Sequence, residues 1–208
     1  MKTFRLLLAL ALCCAATGPL CADQHDYMSR IYDSGNYLLK LLNDVLDDAK
    51  LEAGRIDLQC EPTSLEPVAL DALMTTSSLA LGKAIELRQE IAADLPVVYI
   101  DRMRVAQVLL NLLSNAVKYS PSGGDVSLAL QFEKNEFSIQ VRDQGVGIPE
   151  ADLEHLFDLF HRGQNADIAP GAGLGMVIVK HAVEAHGGTI QVNSKVGSGT
   201  AFTISLPC

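Results

Sequence analysis

Asn111-Leu-Leu-Ser-Asn115-Ala-Val-Lys118-Tyr119 closes a helical run that begins near Val105, and its two faces decide how the second half of this 208-residue chain is built. Val105, Val108, Leu109, Leu112 and Ala116 recur at helical spacing and make an apolar stripe. Arg104, Gln107, Asn111, Asn115 and Lys118 form a second stripe, rotated by about a third of a turn from the first. A helix written this way lies on a core with a polar edge beside it. Asn111 and Asn115 are i,i+4 neighbours, and Lys118 lies one turn further along the same edge. A neutral amide oxygen can complete a Mg²⁺ shell made mostly of water and phosphate, and an ammonium offers a point charge to phosphate. A solvated polar face accounts for one asparagine; two in register with a lysine point to a nucleotide.

Working outward, the flanking segments supply a sheet. Val97-Val98-Tyr99-Ile100 reads as a buried strand, with Asp101 as the cap of the helix that follows. Val126, Leu128, Leu130 and Phe132 alternate, as do Phe137, Ile139 and Val141, with Lys134-Asn135 between them, so a hairpin is expected. Leu174 to His186 is helical and stops at Gly187-Gly188; Thr189–Val192 and Thr200–Leu206 read as two more strands. Upstream, Ser64 is placed to cap a helix over Leu65 to about Leu81. Helices on one side of a mostly antiparallel sheet make an α+β fold, a two-layer α/β sandwich.

Three further stretches carry candidate chemistry. Asp143-Gln-Gly145-Val-Gly147-Ile148 follows a strand. A carboxylate at the mouth of an apolar pocket can accept from an exocyclic amine such as that of adenine, and Gly145 and Gly147 would let backbone approach a flat ring. In isolation the same residues read as a strand-ending turn. Gly171-Ala-Gly173-Leu174-Gly175 opens a helix, where free amides and the positive dipole end suit a triphosphate. Arg162 to Gly171 before it has the polar, Gly/Pro-containing composition of a flexible lid. Gly197-Ser-Gly199-Thr200 precedes the last strand and is equally compatible with a hairpin turn. Leu156-Phe-Asp-Leu-Phe160 fits a helix face packed either on something mobile or on plain core.

The order of these stretches resembles the catalytic and ATP-binding domain of bacterial sensor histidine kinases, which has the Bergerat nucleotide fold shared with gyrase and the mismatch-repair ATPases. The resemblance implies Mg²⁺ at Asn115 with Asn111 nearby, phosphate contact from Lys118, adenine recognition by Asp143, and a lid ending in Gly173 to Gly175. The nucleotide-binding set on this reading is Asn111, Asn115, Lys118, Tyr119, Asp143, Gly145, Gly147, Ile148, Gly171, Gly173, Leu174, Gly175 and Thr200. The gyrase-like ATPases carry a water-activating glutamate where this chain has Asn111, so the resemblance implies phosphotransfer with slow hydrolysis.

Nearer the N-terminus, Met28, Ile31, Gly35, Leu38, Leu42, Val45 and Ala49 form a seam stepping by three and four, widened by Leu39 and Leu46. Such a helix must bury its seam, either against a second copy or within the chain; dimerisation is the expectation preferred here. Ser34-Gly35 to Asp47 and Lys50-Leu-Glu-Ala-Gly54 resemble the second helix of the family's dimerisation and phosphotransfer hairpin. The expected organisation is a partial hairpin over residues 1–55, a linker over 56–64 and the ATP-binding domain over 65–208.

The departure from the family is the phosphoacceptor. None of His25, His155, His161, His181 or His186 sits in a His-Glu/Asp-Leu-Arg-Thr-Pro-like box, although Met1-Lys2-Thr3 resembles the end of one. Phe4 to Ala16 is then expected to be the rest of the first hairpin helix; a secretory signal is the alternative, because Lys2 and Arg5 precede an apolar run. That run is too short to span a membrane.

Bulk composition is that of a globular protein and does not argue against ATP, and a cytoplasmic location is the expectation. Hydrophobic residues make up 49% and charged residues 20% of the sequence. A net charge of −9 argues against nucleic acid or an anionic membrane surface as the main partner. Five cysteines, Cys13, Cys14, Cys21, Cys60 and Cys208, show no C-x-x-C spacing and read as reduced thiols. The expected partners are a second copy or a hairpin-bearing kinase and, by resemblance, a response regulator. A non-catalytic ATP-sensing partner and an anti-sigma-type serine kinase remain as alternatives.

Overall fold

The computed structural model describes residues 58–161, 163 and 173–207, with Tyr27, Met28, Ile31 and Gly35 as separate positions upstream. The chain divides into two units, Met1–Asn43 and Asp44–Cys208. In the first, the four described positions are helical, with Tyr27 and Ile31 exposed. The remainder of the expected hairpin, His25 and the heptad positions from Leu38 onward lie outside the described residues. Among the described residues no helix is long and apolar enough to cross a membrane.

The second unit is built on a five-stranded sheet: β2 (Glu86–Ile91), β4 (Asp125–Glu133), β5 (Glu136–Asp143), β7 (Gly199–Pro207) and β6 (Thr189–Lys195), in that spatial order. β2 pairs with β4 in parallel and every other pair is antiparallel. A second, two-stranded sheet pairs β1 (Glu61–Thr63) with β3 (Val98–Ile100). The helices are α1 (Leu65–Gly82), α2 (Arg102–Tyr119), the short α3 (Glu150–Leu153) and α4 (Gly175–Ala185).

Period-two alternation puts Val126, Leu128 and Leu130 of β4, Phe137, Ile139 and Val141 of β5, and Phe202, Ile204 and Leu206 of β7 on one buried face. The register sets Leu128 opposite Val141 and Val141 opposite Phe202. The same core takes Leu65, Val68, Ala69 and Ala72 of α1, Leu109, Leu112, Leu113 and Val117 of α2, and Val179, Ala182 and Val183 of α4. These helices are the second layer of the expected α+β sandwich. Each fully buried leucine contributes about 1.5–3 kcal/mol through loss of apolar surface from water. The predicted apolar stripe of α2 is buried and its polar stripe half-buried throughout.

Local chemistry explains the boundaries. Asp101 caps α2, its Oδ1 accepting from the Arg104 N–H at 3.1 Å. Its Oδ2 also accepts from the Gln59 N–H at 3.1 Å, fastening the chain that enters this unit to the helix start. Lys134 and Asn135 take φ of 53° and 66°, a turn whose twist matches the β4–β5 hairpin. Gly187, at φ 71°, ends α4.

Three expectations need correction. Ser64 stands at the N-cap of α1 in extended geometry, but its side chain makes no capping hydrogen bond. Leu156 to Phe160 is a succession of turns, not a helix: Phe160 has φ of 58°, which a right-handed helix does not accommodate, and its ring is exposed. The buried strand read at Val97–Ile100 is a strand only over Val98–Ile100, with Val97 and Tyr99 exposed, and it pairs only with β1, formed from residues expected to be linker, outside the main sheet.

Candidate functional site

Asp143 ends β5 with its side chain only 6% exposed. Its Oδ1 accepts from the Gly145 N–H at 2.7 Å and the Thr200 N–H at 3.2 Å, while Oδ2 has no hydrogen-bond partner among the described residues. Burial pushes the carboxyl above the usual aspartate range, partly opposed by these two backbone donors. An acceptor that is buried, held by one oxygen and open at the other is suited to a ligand that donates.

The loop after Asp143 is stitched to neighbours on both sides. The Val146 N–H donates to the Tyr119 carbonyl at 3.3 Å, at the end of α2. Gly145 lies so close that an added Cβ would be 2.7 Å from both Tyr119 O and Asp143 Oδ1. On the other side, the Gly197 N–H donates to Val146 O at 2.8 Å and the Ile148 N–H to Ser194 Oγ at 2.8 Å. Ser194 Oγ also meets Thr200 Oγ1 at 2.8 Å. Gly147, at φ 72°, packs its Cα on the Lys195 carbonyl. The Gly197-Ser-Gly199-Thr200 stretch is therefore the β6–β7 turn and also packs directly against Asp143.

One turn before Tyr119, the amide edge of α2 faces the start of α4. Asn115 Nδ2 donates to Met176 Sδ at 3.6 Å, and Asn111 Oδ1 lies 3.4 Å from where a Cβ on Gly175 would be. With its nitrogen engaged by the thioether, Asn115 keeps an oxygen with no hydrogen-bond partner among the described residues. Lys118 is half-buried on the same edge, near the end of α2. Leu174 is the N-cap residue of α4 and is buried. Gly173, at φ 75°, sits against Phe160 and His161; an added Cβ would be 2.6 Å from His161 O. The residues flanking the expected lid, His161 and Gly173, therefore lie together. The lid itself lies outside the described residues apart from Gly163, and Gly171 is outside them as well.

Sequence reasoning missed Ser194, Met176 and Lys83. Ser194 is one polar residue in an edge strand, and nothing in its neighbourhood marks it. Met176 follows Gly175 directly and reads as ordinary apolar helix. Lys83 Nζ donates to the carbonyls of Val117, Lys118 and Ser120 from another element, a relation with no local trace.

Among the described residues, no three His, Cys, Asp or Glu side chains gather to hold a metal ion. The donors that do converge are neutral amides. They fit a Mg²⁺ ion that keeps most of its shell in water and phosphate, not one caged by protein carboxylates.

Comparison with known proteins identifies the family. Residues 100–208 match the family described as histidine kinase-, DNA gyrase B-, and HSP90-like ATPase. The chain is 40% identical over 199 residues to the circadian input-output histidine kinase CikA of Synechococcus elongatus, covering 92% of this chain and 26% of that protein. It is 35% identical over 202 residues to the cell-division control histidine kinase PdhS of Brucella canis, covering 91% of this chain and 20% of that one. The chain thus spans about a quarter or less of these relatives. Full-length ShkA, solved in complex with AMPPNP, superposes with a TM-score of 0.80 at 33% identity, over 91% of this chain and 40% of that one. The mycobacterial sensor histidine kinase MprB gives a TM-score of 0.63 at 32% identity, over 71% of this chain and 97% of that one. The chain belongs to the histidine kinase-, DNA gyrase B-, and HSP90-like ATPase family, and its second unit has the Bergerat-type fold of that family.

Proposed function

We propose that this chain binds ATP with Mg²⁺ between α2, the loop after β5, the β6–β7 turn and the start of α4, and presents the γ-phosphate to a histidine. The observation that carries this reading is Asp143, whose Oδ1 is held by two backbone N–H groups while Oδ2 is left for a donor. On this reading Oδ2 accepts from the exocyclic amine of adenine. Gly145 and Gly147 keep the pocket wall free of side chains beside the base. Asn115, with Asn111 near it, would hold Mg²⁺, which would neutralise phosphate charge, and Lys118 would contact phosphate. The start of α4 at Leu174 and Gly175 offers backbone amides to the same anion. The likeness to ShkA, solved with AMPPNP, supports the nucleotide assignment.

Phosphoryl transfer needs positioning and charge neutralisation more than covalent help from the protein. The acceptor is then the remaining part. His186 is occupied, its Nε2 accepting from the Asp101 N–H at 3.0 Å and its Nδ1 lying 2.7 Å from Ala182 O. His155 is paired with Asp158 at 2.7 Å. His155 and His186 are thus engaged within the unit, and on this reading the acceptor histidine is carried on a dimerisation hairpin, with a response regulator downstream. Residues 1–55 as part of such a hairpin, and pairing through the Met28–Ala49 seam, belong to the same proposal.

Titration of a fluorescent ATP analogue with and without Mg²⁺ tests the metal assignment. Asn115→Ala is expected to abolish most of the Mg²⁺-dependent gain in affinity. Equal affinities for wild type and variant in Mg²⁺ would remove Asn115 from the metal site.

A further inference from the structure

We propose that Lys83, at the end of α1, is a positioning residue for the nucleotide: its ammonium closes the C-terminus of α2 and so fixes the loop after Asp143 against that helix. The proposal rests on the reading of this site as an ATP pocket.

The last four carbonyls of an α-helix have no partner within the helix, and together they carry a partial negative charge. At the end of α2, Ala116 O accepts from the Ser120 N–H at 3.1 Å, and one side chain takes the next two carbonyls and that of the cap residue Ser120. Lys83 Nζ donates to Val117 O at 3.0 Å, Lys118 O at 2.8 Å and Ser120 O at 2.6 Å. An ammonium has three protons, and three carbonyls take them. The carbonyl left out of this set, Tyr119 O, accepts instead from the Val146 N–H at 3.3 Å in the loop after Asp143. The final carbonyls of α2 are thus shared between Lys83 and that loop.

The lysine is itself held at both ends of its backbone. Its N–H donates to Ala80 O at 3.1 Å, and its carbonyl accepts from the Gly123 N–H at 3.0 Å. It therefore clasps the α1–β2 turn to the α2–β4 turn, with its side chain half-buried between them.

Two consequences for the site follow. The first is geometric: Lys118 and Tyr119 lie on the stretch whose path this ammonium sets, and Gly145 packs directly on the Tyr119 carbonyl. The second is electrostatic. A polyphosphate next to an uncompensated helix C-terminus would be repelled, and Lys83 supplies the compensating charge without occupying the pocket.

The test compares wild type with Lys83→Met, Lys83→Gln and Lys83→Arg at a temperature where circular dichroism shows each to be fully folded. Affinity for a fluorescent ATP analogue and hydrogen exchange at the Val146 amide without nucleotide are both measured. Leu206→Ala, at the far end of β7, serves as a variant destabilised away from the site. Lys83→Met is expected to weaken binding by about tenfold or more, as for loss of charged hydrogen bonds, and to speed exchange at Val146. Lys83→Arg should restore both, and Leu206→Ala should change neither. If Lys83→Met does not fold, Lys83→Gln carries the same expectation with a smaller change. Wild-type binding of ATP together with unchanged affinity and unchanged Val146 exchange in both neutral variants would overturn the role of Lys83 alone. A wild-type protein that binds no ATP would overturn the nucleotide reading and this proposal together.

Discussion

Asp143→Asn separates what Asp143 does for the nucleotide from what it does for the fold. The asparagine keeps an oxygen where Oδ1 accepts from Gly145 and Thr200, so the backbone network survives. At the Oδ2 position it presents an N–H₂ group, a donor facing the donor amine of adenine. Loss of a hydrogen bond to a charged acceptor is worth about 1.5–3 kcal/mol, or roughly tenfold to over a hundredfold in affinity for ATP. GTP, which offers a carbonyl oxygen at the corresponding position of the base, should lose less or gain. Stability should move the other way. Burial raises the folded pKa of Asp143 above its unfolded value. The group therefore stabilises the fold below its unfolded pKa of about 3.9 and loses that contribution as pH rises through the folded value. At neutral pH the ionised carboxylate is a cost that asparagine does not incur. The nucleotide-free variant should melt at or above wild type near pH 7, and wild type should gain on it as the pH is lowered through that window. ATP affinity of the wild type should fall more steeply over the same window than that of the variant. Nucleotide titration and urea unfolding across pH read all of this. Equal losses for ATP and GTP, or a clearly less stable variant at neutral pH, would refute the reasoning and make Asp143 a structural residue.

Gly145→Ala places a Cβ 2.7 Å from both Tyr119 O and Asp143 Oδ1, so the loop must shift. A loss of about 1–3 kcal/mol in urea unfolding is expected, as for overpacking, with weaker ATP binding. Asp101→Ala removes the cap of α2 and the acceptor for Gln59, and about 1–3 kcal/mol of stability should go with them, with Asp101→Asn retaining most of it. Incubated with γ-labelled ATP and a separate dimerisation hairpin carrying an intact histidine box, the protein should label the hairpin. The label should be labile in acid and stable in base; an acid-stable label would point to a serine acceptor instead.

The parts of the fold that the sequence announces are those whose burial follows a short period. The two stripes of α2 are visible because five apolar and five polar positions keep helical spacing over the same turns, and every one lies at the depth that its stripe implies. The β4–β5 hairpin is visible for the same reason at period two. β2 is not: Glu86-Leu-Arg-Gln-Glu-Ile91 is an edge strand with Leu87 and Ile91 half-buried and the rest exposed, so it offers no alternation to read. Phe157 and Phe160 have helical spacing but no helix, because Phe160 turns the chain at positive φ and Phe157 lies under Lys180 Nζ at 5.7 Å from its ring.

For the site, the sequence by itself determined the residue types and their order: two amides and a lysine on one helix edge, a carboxylate at a strand end, glycines where backbone must pass closely. Those are local requirements, met within a turn or a few residues. Tertiary structure alone decided how the pieces meet. Thr200 reaches Asp143 across 57 positions of sequence, Asn115 reaches Met176 across 61, and Lys83 reaches the end of α2 across 34 to 37. The physical reason is that a hydrogen bond between elements depends on where the shared apolar core holds them. That placement is a property of the packed sheet and helices together, and no short window of sequence encodes it.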